Sequence, residues 1–191
     1  NKMDFKDIKA VYFIGAGGIG MSAIARYFLY KGLDVAGYDR TPSNLTRELE
    51  KEGMPIHYEE NIDAIPQTFR NPRTTLVVFT PAVSADHKEL AFFRENGFNI
   101  EKRAQILGRL TSIHKGLCFA GTHGKTSTST MCAHIMHRSS VGCNAFLGGI
   151  SKNYNTNYIF SDKSDFVVIE ADEFDRSFHW LRPWMSVITS T

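Results

Sequence analysis

Cysteine is scarce in this chain of 191 residues, which has only Cys118, Cys132 and Cys143. An odd number with no C-x-x-C pair reads as reduced thiols of a cytosolic protein, not as a disulfide framework. Net charge is nearly absent as well. A balance of +2 leaves no electrostatic case for nucleic acid as a partner. No run approaches the roughly 18 apolar residues of a membrane span, so no membrane role is expected. The start, Asn1-Lys2-Met3-Asp4, is polar, shows no signal peptide and is expected to lead directly into a first strand. There is no proline- or serine-rich linker, no fixed-period repeat, no G-x-S-x-G and no obvious Cys–His pairing, so no protein nucleophile is evident. What remains is an ordinary globular composition, 42% hydrophobic and 22% charged, with length for one or two domains.

The most informative feature present is Gly121-Thr122-His123-Gly124-Lys125-Thr126. It follows the apolar run Gly116–Ala120 and precedes a stretch, Ser127 to His137, that reads as a helix. A strand, a tight glycine turn and Lys-Thr opening a helix form a phosphate cradle. Glycines let backbone N–H groups crowd a polyphosphate. Lys125 can carry positive charge to the β- and γ-phosphates, and Thr126 can place a hydroxyl on Mg²⁺. The helix N-terminus adds roughly 0.3–1 kcal/mol per anionic contact. The strict pattern G-x-x-x-x-G-K-[ST] would put glycine at position 119, where this chain has Phe119, so the loop is a variant.

A second glycine loop follows the apolar run Ala10–Ile14. Gly15-Ala16-Gly17-Gly18-Ile19-Gly20 matches G-x-G-x-x-G, and Met21 to Tyr30 carries apolar residues at helical spacing. Gly32 is the expected helix stop, and Leu33 to Tyr38 reads as the next strand, ending at Asp39. This is the βαβ plan of a dinucleotide-binding half. What it selects is a pyrophosphate at a helix N-terminus, and NAD, FAD or a nucleotide-sugar diphosphate all satisfy that. Asp39 either meets a ribose hydroxyl or caps the turn before Thr41-Pro42-Ser43.

The elements continue to alternate. Helices are expected at Leu45–Glu52, from a cap at Asp86 to Asn96, and at Ala104–Thr111; strands at Pro55–Tyr58, Thr74–Phe79 and Phe98–Glu101. Alternation with buried strands implies a parallel, doubly wound sheet, whose ligands bind at strand carboxyl ends. Thr80 and Pro81 fall at such an end, as do Gly15–Gly20 and Asp39. A restart of the strand–loop–helix plan near Ser112 sets expected domains at residues 1–111 and 112–191. In the second, the apolar strand Phe166–Ile169 delivers Glu170-Ala171-Asp172-Glu173. An acidic residue at the tip of a buried strand is what a phosphate-binding site needs to hold Mg²⁺. Glu170, expected first off the strand, is the favoured ligand. Asp172 and Glu173 are expected behind it or in solvent. His134 and His137, three apart on the helix, lack acidic or thiol partners and read as a packed or solvated face.

These residues, with Asn144-Ala145-Phe146-Leu147-Gly148-Gly149, resemble the Mur ligases, ATP-dependent amide-bond-forming enzymes of bacterial peptidoglycan precursor synthesis. The resemblance covers essentially the whole chain. It implies a Rossmann-like first domain with Gly15, Ala16, Gly17, Gly18, Ile19, Gly20, Asp39, Thr80 and Pro81 around a UDP-sugar. It implies a second domain that binds ATP through Gly121, Thr122, Gly124, Lys125, Thr126 and Ser127, with Mg²⁺ on Thr126 and Glu170. Lys125 and His123 are the implied catalytic residues. Histidine before Gly-Lys-Thr, as His123 stands here, implies the branch whose substrates are UDP-N-acetylmuramate and L-alanine. Family members are much longer, so the expectation is a piece holding the first domain and part of a P-loop ATPase domain, without turnover of its own. Rival readings are a ligase that attaches a recycled peptide to the same sugar, an NAD-dependent oxidoreductase, and a non-catalytic nucleotide-binding module.

Overall fold

The computed structural model describes residues 3–171 and 179–190. Its chain divides into two compact units, Asn1–Arg103 and Ala104–Thr191. The division falls earlier than residue 112 because the helix Arg103–Ile113 (α4) is fastened within the second unit. A Cβ at Gly108 would lie 3.0 Å from Trp180 Cβ, and the Arg182 N–H donates to Thr111 Oγ1 at 2.9 Å.

The first unit carries strands β1 (Ala10–Ile14), β2 (Asp34–Tyr38), β3 (Ile56–His57), β4 (Thr75–Phe79) and β5 (Asn99–Lys102). They form one parallel sheet in the order β3-β2-β1-β4-β5. The chain builds outward from β1 on one side and then returns to build outward from β4. The reversal between β1 and β4 is where such sheets open a crevice. β1 is buried at every residue, as the unbroken apolar run requires. Tyr12, Ile14, Val77, Leu90 and Phe93 meet in one core cluster. Each such large side chain contributes roughly 1.5–3 kcal/mol on leaving water. A short 3₁₀ turn, Phe5–Asp7, precedes β1, so the polar start does not run directly into the strand.

Helices α1 (Ile19–Tyr30), α2 (Asn44–Lys51) and α3 (Lys88–Glu95) pack on this sheet. α1 starts at Ile19, not Met21, which places Gly20 in the first helical turn rather than in the loop. α2 begins with a capping box in which Ser43 and Thr46 exchange hydrogen bonds, the arrangement that satisfies two orphan N–H groups. Asp86 does not cap α3: its N-cap is His87, and the Asp86 carboxylate accepts from the Ser84 hydroxyl two residues back. Arg26 is 1% exposed on α1, yet its guanidinium reaches Glu52 at 2.8 Å and Glu48 at 3.3 Å. A buried guanidinium is tolerable only with such partners.

The second unit holds β6 (Lys115–Ala120), α5 (Lys125–Arg138), β7 (Asn144–Ser151), β8 (Thr156–Ile159), β9 (Phe166–Glu170) and β10 (Met185–Ile188). The sheet order is β10-β6-β9-β7-β8, with β8 antiparallel to β7 and the other pairs parallel. The β7–β8 hairpin was not expected: Asn144–Gly149 reads as a motif, and its polar start and paired glycines hide a strand. The fold makes the polar start acceptable. Asn144 is buried, donates to the Ser161 carbonyl at 3.0 Å and accepts from Tyr158 OH at 2.7 Å. His134 and His137 pack on Tyr154, the first through a 2.7 Å contact to its hydroxyl and the second edge-on at 5.2 Å. No described helix is long and apolar enough to cross a membrane.

Candidate functional site

In the second unit, β6 ends at Ala120 and α5 begins at Lys125, so Gly121–Gly124 is the whole connection. Two glycines make the turn possible. Gly121 has φ +128° and Gly124 has φ +83°, both in territory that side chains avoid. Gly124 caps α5 with no side-chain acceptor. The first-turn N–H groups are therefore not capped by a side chain there, which suits an anion. Lys125 is half-buried and its ammonium donates to the Gly121 carbonyl, so the charge is tethered to the loop and not sunk in the core. Thr122, His123, Gly124, Thr126 and Ser127 are exposed.

Glu170 is the last residue of β9, not the first beyond it, and β9 lies beside β6. Its carboxylate meets the start of α5: Ser129 Oγ donates to Glu170 Oε1 at 3.1 Å. A Cβ built on Gly148 would meet both the other carboxylate oxygen and, at 3.1 Å, Thr126 Oγ1. Thr126, from the glycine loop and α5, and Glu170, from the end of β9, therefore face one small space. A hydroxyl and a carboxylate are hard oxygen donors of the kind Mg²⁺ takes beside phosphate oxygens. The two residues fit that ion. No group of three His, Cys, Asp or Glu side chains suited to a metal occurs among the described residues. Asp172 and Glu173 lie outside the described residues.

Sequence reasoning missed Thr189 and Ser190. They follow β10, the neighbour of β6, and tie down the loop. Thr189 Oγ1 donates to the carbonyls of Ala120, at 3.2 Å, and His123. Ser190 Oγ accepts from the His123 N–H at 3.0 Å and shares a 2.8 Å hydrogen bond with Thr122 Oγ1. The signal was a hydroxyl pair at the carboxyl end of an apolar strand. Beside the loop, a cavity of about 370 Å³ opens between Thr126, Ser127 and Thr130 on α5 and Gly149, Ser151 and Lys152 at and just past the end of β7. Cys118, in β6, is buried, and burial pushes its thiol up to about 11. It is core material.

In the first unit, Gly15 has φ +92° and a Cβ there would overlap the Thr80 methyl, so Thr80, after β4, packs directly on the glycine loop. The Thr80 N–H donates to Ile14 O at 3.3 Å, and Pro81 follows it. α1 is capped by Gly18, again without a side-chain acceptor. Asp39, at the end of β2, spends both oxygens on backbone: Oδ2 accepts from Gly17 N at 2.6 Å and Oδ1 from Thr41 N at 2.9 Å. The turn-capping alternative for Asp39 thus has a geometric basis. Arg103 was not foreseen. Its guanidinium carbon would lie 2.7 Å from a Cβ on Gly20, so the cation sits against the first turn of α1.

Two glycine-capped helices at strand carboxyl ends, one of them with a lysine, a hydroxyl and a facing carboxylate, define an α/β protein with two loops of the kind that suits phosphate groups. Comparison with known proteins makes this specific. The model described as Mur ligase family, catalytic domain, matches residues 10–115. The chain belongs to the Mur ligase family. It is 68% identical to the UDP-N-acetylmuramate–L-alanine ligase of Phocaeicola vulgatus, over 99% of this chain and 41% of that relative. It is 63% identical to the ligase of the same name from Parabacteroides distasonis, over 98% of this chain and 41% of that one. The chain thus spans about 41% of the length of the curated relatives it matches. Among solved structures, UDP-N-acetylmuramate-alanine ligase from Thermotoga maritima matches with a TM-score of 0.81 and 29% identity, over 95% of this chain and 41% of that one. The Neisseria meningitides structure of UDP-N-acetylmuramate:L-alanyl-gamma-D-glutamyl-meso-diaminopimelate ligase matches at TM-score 0.83 and 24% identity, over 96% of this chain and 60% of its own, a likeness of fold.

Proposed function

We propose that this chain belongs to an ATP-dependent ligase that joins L-alanine to the lactyl carboxylate of UDP-N-acetylmuramate, in the cytoplasm, during peptidoglycan precursor synthesis. The observation that carries the reading is the meeting of Thr126 and Glu170 beside the Lys125 loop. A nucleotide–sugar carrier alone needs one glycine turn, and this chain has a second one equipped for a triphosphate. The high identity to relatives named for the alanine ligation supports the choice of amino acid.

In this reading the first unit, Asn1–Arg103, holds the UDP-sugar, with its diphosphate at Gly15–Gly20 and with Asp39, Thr80 and Pro81 around it. The second unit, Ala104–Thr191, begins the ATP-binding domain, through Gly121, Thr122, Gly124, Lys125, Thr126 and Ser127. Phosphoryl transfer to the lactyl carboxylate gives an acyl phosphate, which the amine of L-alanine attacks. Little covalent work falls to the protein, so positioning and charge neutralisation dominate. Lys125 moves from the Gly121 carbonyl to the phosphates. Thr126 and Glu170 would hold Mg²⁺, which would supply neutralisation of the phosphate charge. His123, exposed on the loop, is assigned to the reacting carboxylate or its metal.

The test is phosphate release by the full-length protein. It should require both UDP-N-acetylmuramate and L-alanine. Lys125→Ala should abolish ATP turnover while leaving UDP-sugar affinity within about twofold. Faster release with L-alanyl-γ-D-glutamyl-meso-diaminopimelate than with L-alanine would establish the peptide-attaching rival instead. Binding of NADH but not UDP to the chain would establish the oxidoreductase.

A further inference from the structure

Gly148 sits on β7 two residues past Phe146, whose partner on β9 is Ile169, so it lies beside the tip that carries Glu170. It is not among the glycines with positive φ, so backbone conformation does not require glycine there. Space does. A Cβ at this position would fall on Glu170 Oε2, 2.9 Å from Glu170 Cδ and 3.1 Å from Thr126 Oγ1. On the other side, the buried Ser129 hydroxyl lies 3.1 Å from Oε1 and 3.2 Å from the Thr126 carbonyl. Ser129 thus ties the carboxylate to the first turn of α5, and the bare face of Gly148 admits its second oxygen alongside the Thr126 hydroxyl.

We propose that Gly148 and Ser129 are positioning residues that aim the Glu170 carboxylate at a divalent cation shared with Thr126. The inference rests on reading Thr126 and Glu170 as cation ligands. It adds that the carboxylate's aim is set from outside the ligand pair, by a missing side chain and a hydroxyl. Such supporting contacts typically govern metal affinity by about 10–100-fold. The atoms a Gly148 side chain would meet are the free end of Glu170 and not backbone, so a methyl there turns the carboxylate aside without unfolding the sheet.

The experiment is Mn²⁺ binding to the 191-residue chain with a non-hydrolysable ATP analogue, read from the electron paramagnetic resonance signal of free Mn²⁺. Gly148→Ala should weaken Mn²⁺ binding about tenfold or more, with an unchanged urea midpoint. Ser129→Ala should weaken it in the same direction. The decisive variant is Glu170→Asp, whose shorter side chain withdraws the oxygen that the methyl meets. In that background Gly148→Ala should cost nothing further, a non-additivity a merely structural glycine would not produce. Gly148→Ala binding Mn²⁺ like the unaltered chain, or costing the same factor in both backgrounds, overturns the proposal. Equal binding by the unaltered chain and Glu170→Gln instead overturns the underlying ligand assignment.

Discussion

Gly121→Ala and Gly124→Ala make a matched pair in one loop, and they separate backbone strain from collision. At Gly124 (φ +83°) a methyl finds its nearest neighbours at 3.7 Å and beyond, ordinary contact. The cost there is conformational, about 1–2 kcal/mol. At Gly121 (φ +128°) the conformation is one only glycine occupies freely, worth about 1–3 kcal/mol. The methyl also strikes Thr189 Oγ1 and the Ser190 backbone, whose N and O lie 2.8 and 3.0 Å away. Backbone cannot rotate aside as a side-chain tip does, so overpacking adds about 1–3 kcal/mol. Gly121→Ala should therefore cost about 2–6 kcal/mol, clearly more than its neighbour. The chain's two tryptophans, Trp180 and Trp184, both lie in the second unit. Urea unfolding followed by tryptophan fluorescence thus reports this unit separately. With a slope of about 1–3 kcal/mol per molar urea, the midpoint for Gly121→Ala should fall by about 0.7 M or more. Equal midpoints for the two variants would refute the claim that the Thr189–Ser190 segment closes on the loop.

Tyr12→Phe removes a hydroxyl that donates to the fully buried Glu89 at 3.1 Å, alongside His57 and the Asn61 N–H. Loss of a hydrogen bond to a buried carboxylate should cost about 1.5–3 kcal/mol by thermal unfolding of the first unit, and a change under about 0.5 kcal/mol would refute the network's importance. Burial and the neighbouring Glu89 also push the Tyr12 hydroxyl far up, so ultraviolet titration should find one tyrosine that stays protonated until the unit unfolds. Cys143 is pushed from 9.0 up to about 12, by burial and then by Cys132. A folded value above the unfolded one means that its contribution is intact below 9.0 and is lost as pH rises from there towards 12. Stability should therefore fall above pH 9 less steeply in Cys143→Ala, and identical pH profiles would contradict that burial.

Local signals in the chain reached the strands and both loops because buried parallel strands advertise themselves. Val11–Ile14, Leu76–Phe79 and Val167–Ile169 are apolar at every position, and a glycine turn after such a run has few alternatives. Gly-Lys-Thr named a residue type at each place where a phosphate needs one, so Lys125 and Thr126 could be picked out before any geometry. What escaped was long-range. Thr189 and Ser190 are separated from the loop they fasten by more than sixty positions, and only the β10–β6 pairing brings them there. Arg103 likewise meets Gly20 because β5 ends at the same edge of the sheet as β1 begins its turn. The β7–β8 hairpin escaped for a different reason. Its strand opens on a polar residue that becomes acceptable only after Tyr158 and Ser161 surround it. Asp39 was legible as a choice between two roles, and resolving its contacts required knowing that Gly17 lies beside it.

Both loops are held in shape by internal partners of the charge or polarity a nucleotide brings or meets. At the first, a carboxylate oxygen of Asp39 occupies the Gly17 N–H, as a phosphate oxygen would. At the second, the Lys125 ammonium rests on the Gly121 carbonyl, and Ser190 takes the His123 N–H. Fixing a residue's backbone costs about 1–2 kcal/mol. A loop that collapsed without ligand would charge that cost to binding several times over. A loop already closed by its own side chains charges only the exchange of one hydrogen bond for another, which is nearly neutral. In a ligase of the proposed kind this matters twice, because two nucleotide-bearing substrates must be held together before any bond forms. The placeholder arrangement therefore predicts that Asp39→Ala loosens the first loop and weakens UDP-sugar binding by lost preorganisation, even though Asp39 carries the wrong sign to attract a diphosphate. Tighter UDP binding in that variant, measured calorimetrically, would mean that its charge repels more than its hydrogen bonds prepare.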